Sequence, residues 1–326
     1  MPISCRVTRG EFTESIHVAF AVVIDKNGQI LFSSGDPNFL TCVRSSLKPF
    51  QAAASIQSGA IDLVKFNQQE IALMCASHQG ESIHLKTAES MLEKLYLSVD
   101  DYECGSHMPY EKNARYELIK KNQTASVLHN NCSGKHAGML ALAKYLDQGF
   151  SDYIKMDHPV QKFICNYISE ISGIEDITYE LDGCSAPTPF MSLESIARLF
   201  QKLASQDRPE LNKVFDAMVE YPLLVGGSNN FDSIFINALK GMGITKVGGE
   251  SVRGIALNTK NHGPIGLAIK ILDGNLRAMP IVTMKLLEHL KLLSDKEVHQ
   301  LDQFRTKTLK NHNNLKIGKI EAYIDF

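Results

Sequence analysis

The sequence predicts an α/β protein in which one antiparallel sheet is assembled from both ends of the chain, helices flank that sheet, and a helical subdomain fills the middle. Three observations predict it. Apolar and polar residues alternate near the start, strand signals return late in the chain, and the apolar spacing between them is helical from Ser45 onward. No linker, low-complexity tract or internal repeat separates these parts. Residues 1–326 are therefore expected to form a single domain, with a helical middle of roughly 45–245 inserted between the sheet segments.

The first element is a hairpin over Ser15 to Ser34, turning at Asn27-Gly28, a dipeptide suited to the positive φ angles of a type I′ turn. Helical spacing then predicts helices near 45–58, 68–76, 82–97, 134–146, 158–172, 192–205, 208–220 and 231–240. Strands return at Gly254 to Leu257 and Gly266 to Leu272, the latter ending in the turn residues Asp273-Gly274-Asn275. A helix from about Pro280 to Leu293 precedes a last strand over Lys316 to Ile324.

Composition narrows the function. A chain of 326 residues, 44% of them hydrophobic, buries a sizeable core, and 34 basic residues against 36 acidic ones give no strong field for nucleic acid or an anionic membrane. A small-molecule substrate is expected. The opening MPISCRVTRGEF has no apolar signal region, and no stretch approaches the ~20 apolar residues that cross a bilayer, so a cytoplasmic location is expected. Seven cysteines, an odd number spread thinly through a long chain, suit a reducing compartment. Most are accounted for as small buried hydrophobes.

Four clusters could carry chemistry. Arg44-Ser45-Ser46-Leu47-Lys48-Pro49-Phe50 holds the chain's S-x-x-K, although on the order of one such match arises by chance in a chain of this length. On a helix Ser45 and Lys48 share a face, and Pro49, tolerated only in a first turn, starts that helix close to Ser45. The hydroxyl would sit at the positive end of the helix dipole, with a lysine as the base that activates it. Cys75-Ala76-Ser77-His78-Gln79-Gly80-Glu81 can place Ser77 in a tight loop, although by itself it is better explained as a helix stop followed by an N-cap. Asn130-Asn131-Cys132-Ser133-Gly134-Lys135-His136-Ala137-Gly138-Met139 and Leu181-Asp182-Gly183-Cys184-Ser185-Ala186-Pro187 hold thiols that favour zinc. They lack the usual C-x-x-C pair, and packing or loop chemistry accounts for them too.

In this order the four clusters resemble the signature set of the Rhizobium etli-type (class 3) L-asparaginases. The resemblance runs over roughly residues 6 to 280, through RSSLKPFQ, CASHQGE, NCSGKHAGML, LDGCSAP and the late GLAIKILDG strand. It implies a fold like that of serine β-lactamases, penicillin-binding proteins and glutaminases. Carried over by residue, it makes Ser45 with Lys48 one Ser-Lys tandem and Ser77 with Lys260 a second. It makes Cys132, Lys135 and Cys184 the ligands of a zinc ion with water at the open position, and Asp182 the anchor of a substrate α-amino group. Arg44 and His136 would line or order the pocket, and the protein would be a homodimer.

The implied reaction is hydrolysis of the L-asparagine side-chain amide: Ser45 attacks, ammonia leaves, and water resolves the acyl-enzyme. Two lysines in one pocket would each disfavour the other's charge, so an alkaline pH optimum is expected. A glutaminase or β-lactam hydrolase would use the same acylating serine. A non-catalytic zinc-binding or thiol-sensing protein would need only Cys132 and Cys184, and leaves both lysines unexplained.

Overall fold

The structure is a computed structural model that describes residues 1–324. In chain order its strands are β1 Ile3–Arg9, β2 Phe12–Ile24, β3 Ile30–Ser34, β4 Leu40–Cys42, β5 Tyr179–Leu181, β6 Pro187–Ser192, β7 Gly243–Gly248, β8 Val252–Thr259, β9 Gly263–Ile271, β10 Lys307–Lys310 and β11 Lys316–Tyr323. The helices are α1 Lys48–Gln57, α2 Ala60–Val64, α3 Gln68–Met74, α4 Ser82–Leu95, α5 Lys112–Lys120, α6 Ser133–Tyr145, α7 Pro159–Ser172, α8 Leu193–Ser205, α9 Pro209–Glu220, α10 Pro222–Gly226, α11 Phe231–Leu239, α12 Met279–His289 and α13 Asp295–Gln300. They gather into two compact units. One holds Met1–Cys42, Met191–Ser205 and the chain from Ala238 onward; the other holds Val43–Phe190 and Gln206–Asn237.

The first unit is built on an antiparallel sheet in the order β10-β11-β1-β2-β9-β8-β7, with β3 also paired to β2. It joins the two ends of the chain as the sequence predicts. β1 meets β11 with Ser4 opposite Tyr323 and Val7 opposite Ile320, and β2 meets β9 with Ala19 opposite Ile271. Every residue of β9 from Ile265 to Ile271 is buried, the pattern of a strand covered on both faces. One cover is α8, whose Leu193, Ile196, Ala197, Phe200 and Leu203 are buried and which packs across β2, β8 and β9. This segment was expected within the helical middle, yet it belongs with the sheet, because its apolar stripe needs a broad apolar partner.

The β2–β3 turn corrects a second expectation. Only Gly28 takes a positive φ, +77°, whereas a type I′ turn needs two such residues. The Asp25 carboxylate accepts the N–H groups of Asn27 and Gln29 at 2.9 and 2.8 Å, so the side chain imposes its own turn and the register slips between Val23 and Ile24.

In the second unit α6 is the central helix. Its residues from Ser133 through Ala143 are all buried, and α1, α2, α3, α4 and α7 contact it. A helix enclosed on every side carries no amphipathic stripe. Its polar residues must then find partners inside the protein.

Candidate active site

The start of α6 organises the site. Gly134 lies so close to α3 that a Cβ there would stand 2.2 Å from the Leu73 carbonyl oxygen, and this contact seats the end of α3 on the first turn of α6. The loop leaving α3, Cys75 to Gly80, is thereby delivered over that turn. His78 pins it: the Gly80 N–H donates to Nδ1 at 3.1 Å, so Nε2 carries the ring proton and donates to Ser133 Oγ at 2.9 Å. Burial, reinforced by nearby cationic groups, holds the His78 pKa well below its usual value, so the ring is neutral. The Ser77 N–H donates to the Val225 carbonyl at 3.0 Å. Ser77 itself stays half-buried.

Lys48 lies beneath Ser77 with 1% of its surface exposed. Its Nζ donates to the Ala76 carbonyl at 2.5 Å and the Asn131 carbonyl at 3.1 Å, and pairs with Ser77 Oγ at 3.1 Å. Two carbonyls can only accept, so they fix two of the nitrogen's hydrogens. The third direction meets a hydroxyl, which can either give or take a proton. That is the arrangement of a lysine poised against a serine.

Ser45 stands one turn before Lys48 and is half-buried. The helix starts there as the sequence predicts, as a 3-10 turn over Arg44–Leu47 that continues into α1 with Pro49 in its first turn. The Lys48 backbone N–H donates to the Ser45 carbonyl. Among the described residues the Ser45 hydroxyl is not a hydrogen-bond partner of Lys48 Nζ, which turns to Ser77. Arg44, just before Ser45, has φ +51°, a left-handed conformation costly for a residue with a Cβ. It is held by its own N–H donating to Thr188 Oγ1 at 2.9 Å and by the Val43 N–H donating to the Pro189 carbonyl at 2.9 Å. The Arg44 guanidinium meets Asp182 Oδ1 at 2.9 Å, and the Asp182 side chain is only 8% exposed.

Beside this pair lie the expected metal ligands. Lys135 Nζ donates to Cys184 Sγ at 2.9 Å, and Cys132 Sγ is 3.2 Å from Asn131 Oδ1. A hydrogen bond from Cys132 is the largest influence on Cys184 and, with Lys135, draws its pKa far below the thiol range against burial; the Cys132 pKa is pushed up in return. Burial opposes the charge on Lys135, but the two sulfurs outweigh it and hold the amine's pKa above its usual value. These directions favour charge on Cys184 and Lys135 and disfavour it on Cys132. Among the described residues no three His, Cys, Asp or Glu side chains are grouped to hold a metal ion. The expected donor set contains two such residues and an amine, so two soft sulfurs and one nitrogen converge, a set whose chemistry suits zinc once the amine gives up its proton.

His136 follows Lys135 into the interior, fully buried, with Nδ1 2.7 Å from the Tyr153 hydroxyl. Lys260 is exposed at the tip of the β8–β9 hairpin and belongs to the sheet unit, whereas the other candidate residues belong to the helical unit. The Asn131 carbonyl, Thr188 and Tyr153 carry no motif signal. A backbone carbonyl has none to give, and the other two act through contacts that depend on the fold.

A sequence model of the L-asparaginase II family matches residues 5–322. The chain belongs to the L-asparaginase II family. Among solved structures, this L-asparaginase II family chain is similar to Mglu, at 13% identity and a TM-score of 0.39, over 85% of this chain and 62% of that one. It thus spans under two thirds of that Mglu chain's length. It is also similar to the TLA-1 extended spectrum β-lactamase, at 10% identity and a TM-score of 0.38, over 78% of this chain and 84% of that one. No curated protein matches the sequence. Among the described residues no helix is long and apolar enough to cross a membrane.

Proposed function

We propose that this L-asparaginase II family member hydrolyses the side-chain amide of L-asparagine to L-aspartate and ammonia through a Ser-Lys acyl-enzyme. The observation that supports this most is Lys48, buried against two carbonyls with its remaining direction on a serine hydroxyl. Ser45 attacks the amide carbonyl and its proton passes to Lys48. The tetrahedral intermediate collapses as that proton goes to the leaving nitrogen, so ammonia departs and an ester remains on Ser45. Water then attacks the ester, gives its proton to the lysine, and the lysine returns it to the serine oxygen as aspartate leaves. Ser77 relays protons and polarises the carbonyl or the water.

A second reading is favoured by one distance. Ser77, not Ser45, is the hydroxyl within hydrogen-bond reach of Lys48 Nζ, so Ser77 is the alternative acylated residue. Asp182 would anchor the substrate ammonium, with Arg44 holding that carboxylate in place and His136 lining the pocket. Cys132, Lys135 and Cys184 would hold a zinc ion, which supplies a fixed positive charge that draws in and orients polar substrate groups. Location in the cytoplasm and assembly as a homodimer complete the reading, and light scattering at working concentration tests the latter.

Ammonia release by the purified protein, compared for asparagine, glutamine and a chromogenic β-lactam, decides the substrate. Asparagine is expected to give the highest kcat/KM; a glutamine preference makes the enzyme a glutaminase, and metal binding without ammonia release makes it a non-catalytic binder. Mass spectrometry of Ser45→Ala and Ser77→Ala after trapping with an electrophilic substrate analogue shows which serine carries the adduct.

A further inference from the structure

Tyr153 lies in the turn between α6 and α7, fully buried, with its carbonyl held by Gln161 Nε2 at 2.8 Å. Its hydroxyl has two partners: the Glu103 N–H at 2.9 Å and His136 Nδ1 at 2.7 Å. An amide N–H can only donate, so it occupies a lone pair of the phenol oxygen. Burial keeps the phenol protonated, pushing its pKa up, and a buried O–H must find an acceptor. Between its two partners only His136 Nδ1 can accept.

The consequence passes through the ring. With Nδ1 accepting the phenol's hydrogen, the ring's own hydrogen is on Nε2. Among the described residues Nε2 is buried with no hydrogen-bond partner. An N–H cannot ligate a metal, because ligation needs the lone pair that the hydrogen occupies.

We propose that Tyr153 is a positioning residue that locks His136 in the Nε2–H form, so that His136 cannot serve the Cys132, Lys135 and Cys184 cluster as a fourth metal ligand. The tautomer lock stands on the hydrogen bonds alone; the exclusion from the metal rests on the zinc reading above. The two therefore fail separately.

The test is nitrogen-15 NMR of histidine-labelled protein, with His136→Gln identifying the His136 resonances. In the wild type the proton is expected on Nε2 and Nδ1 should resonate as a hydrogen-bonded acceptor. In Tyr153→Phe the Nδ1 resonance should move to the position of an acceptor without a hydrogen bond. An Nδ1–H pattern in the wild type, or an Nδ1 resonance unchanged in Tyr153→Phe, overturns the lock; if Tyr153→Phe does not fold, the wild-type spectrum decides alone. Elemental analysis then addresses the metal: after incubation with zinc, His136→Gln should retain wild-type zinc content while Cys184→Ala loses at least tenfold. Equal loss in both variants overturns the exclusion of His136, whereas no zinc in any of them removes the metal reading and leaves the lock to the NMR result.

Discussion

Lys48 and Lys260 are the two lysines expected to do chemistry, and their surroundings could hardly differ more. Lys48 is 1% exposed, with Nζ placed by two carbonyls and a serine hydroxyl before any substrate arrives. Lys260 is exposed at a hairpin tip. A long side chain in water keeps rotamer freedom worth up to ~2 kcal/mol, which must be surrendered at each turnover, whereas the buried lysine has already lost it during folding. Residue type alone therefore does not mark a catalytic base. What marks one is a buried amine whose last valence is aimed at a nucleophile.

The sharpest way to break the comparison is Lys48→Met. It removes the proton acceptor and leaves the Ala76 and Asn131 carbonyls without their donor, so activity should fall at least ~10³-fold and stability by about 1–3 kcal/mol. Lys48→Arg should not rescue activity, because a guanidinium does not give up its proton. Retention of a tenth of wild-type ammonia release in either variant would remove Lys48 from the chemistry.

Gly134→Ala acts on the seat and not on the base. A methyl group 2.2 Å from the Leu73 oxygen forces α3 and α6 apart, at a cost of about 1–3 kcal/mol. Urea denaturation should show a lower midpoint, and activity should fall because the Ser77 loop moves with α3. A midpoint equal to wild type would show that the seat yields freely.

The buried histidines give the same unit a pH dependence. His78 and His84 both titrate below their ordinary 6.5 in the folded state, chiefly through burial. The unfolded chain binds these protons first, so the stability contributed by the neutral rings is fully present above about pH 6.5 and is lost as the pH falls toward the folded pKa values. Each neutral ring should add a slope of up to about 1.4 kcal/mol per pH unit, and His78→Asn should flatten the profile between pH 5 and 6.5. An unchanged slope in that variant would mean His78 is protonated in the native state.

The smallest effect is expected from Lys260→Met, a lowering of kcat by about tenfold with no change in melting temperature, as suits an exposed residue with a functional role. Full activity in this variant would return Lys260 to an ordinary surface lysine and leave Lys48 as the site's lysine base.

Much of this was legible in the sequence, for identifiable reasons. The long helices α4, α7 and α8 announce themselves through apolar spacing, and the strands β2, β8 and β9 through β-branched residues. β1, β7 and β10 are harder to read. Ile3–Arg9 interleaves Arg and Thr with its apolar residues, Gly243–Gly248 is bounded by glycines, and Lys307–Lys310 is four residues long. Their identity comes from the neighbour each one pairs with. At the site the motifs point to Lys48, Ser77, Lys135 and Cys184, and the fold brings Lys48 to Ser77 and Lys135 to Cys184. Sequence spacing suggested Ser45 as the partner of Lys48, because neighbours one turn apart are the contacts a sequence shows most directly. The Ser77 contact depends on where the loop after α3 lands, and that is decided by Gly134, residues away in a different helix.

The sheet that joins both chain ends also imposes an order of events during synthesis. β1 and β2 can pair as soon as they emerge, but the free edge of β2 at Ala19 to Ile24 waits for β9, and β1 waits for β11. At ribosomal speeds of about 5–20 residues per second, those partners arrive on the order of tens of seconds later. Throughout that interval an apolar hairpin with two unsatisfied edges is exposed to other nascent chains, and such edges are templates for aggregation. The growing chain is therefore a natural client for chaperones until its last strand is made.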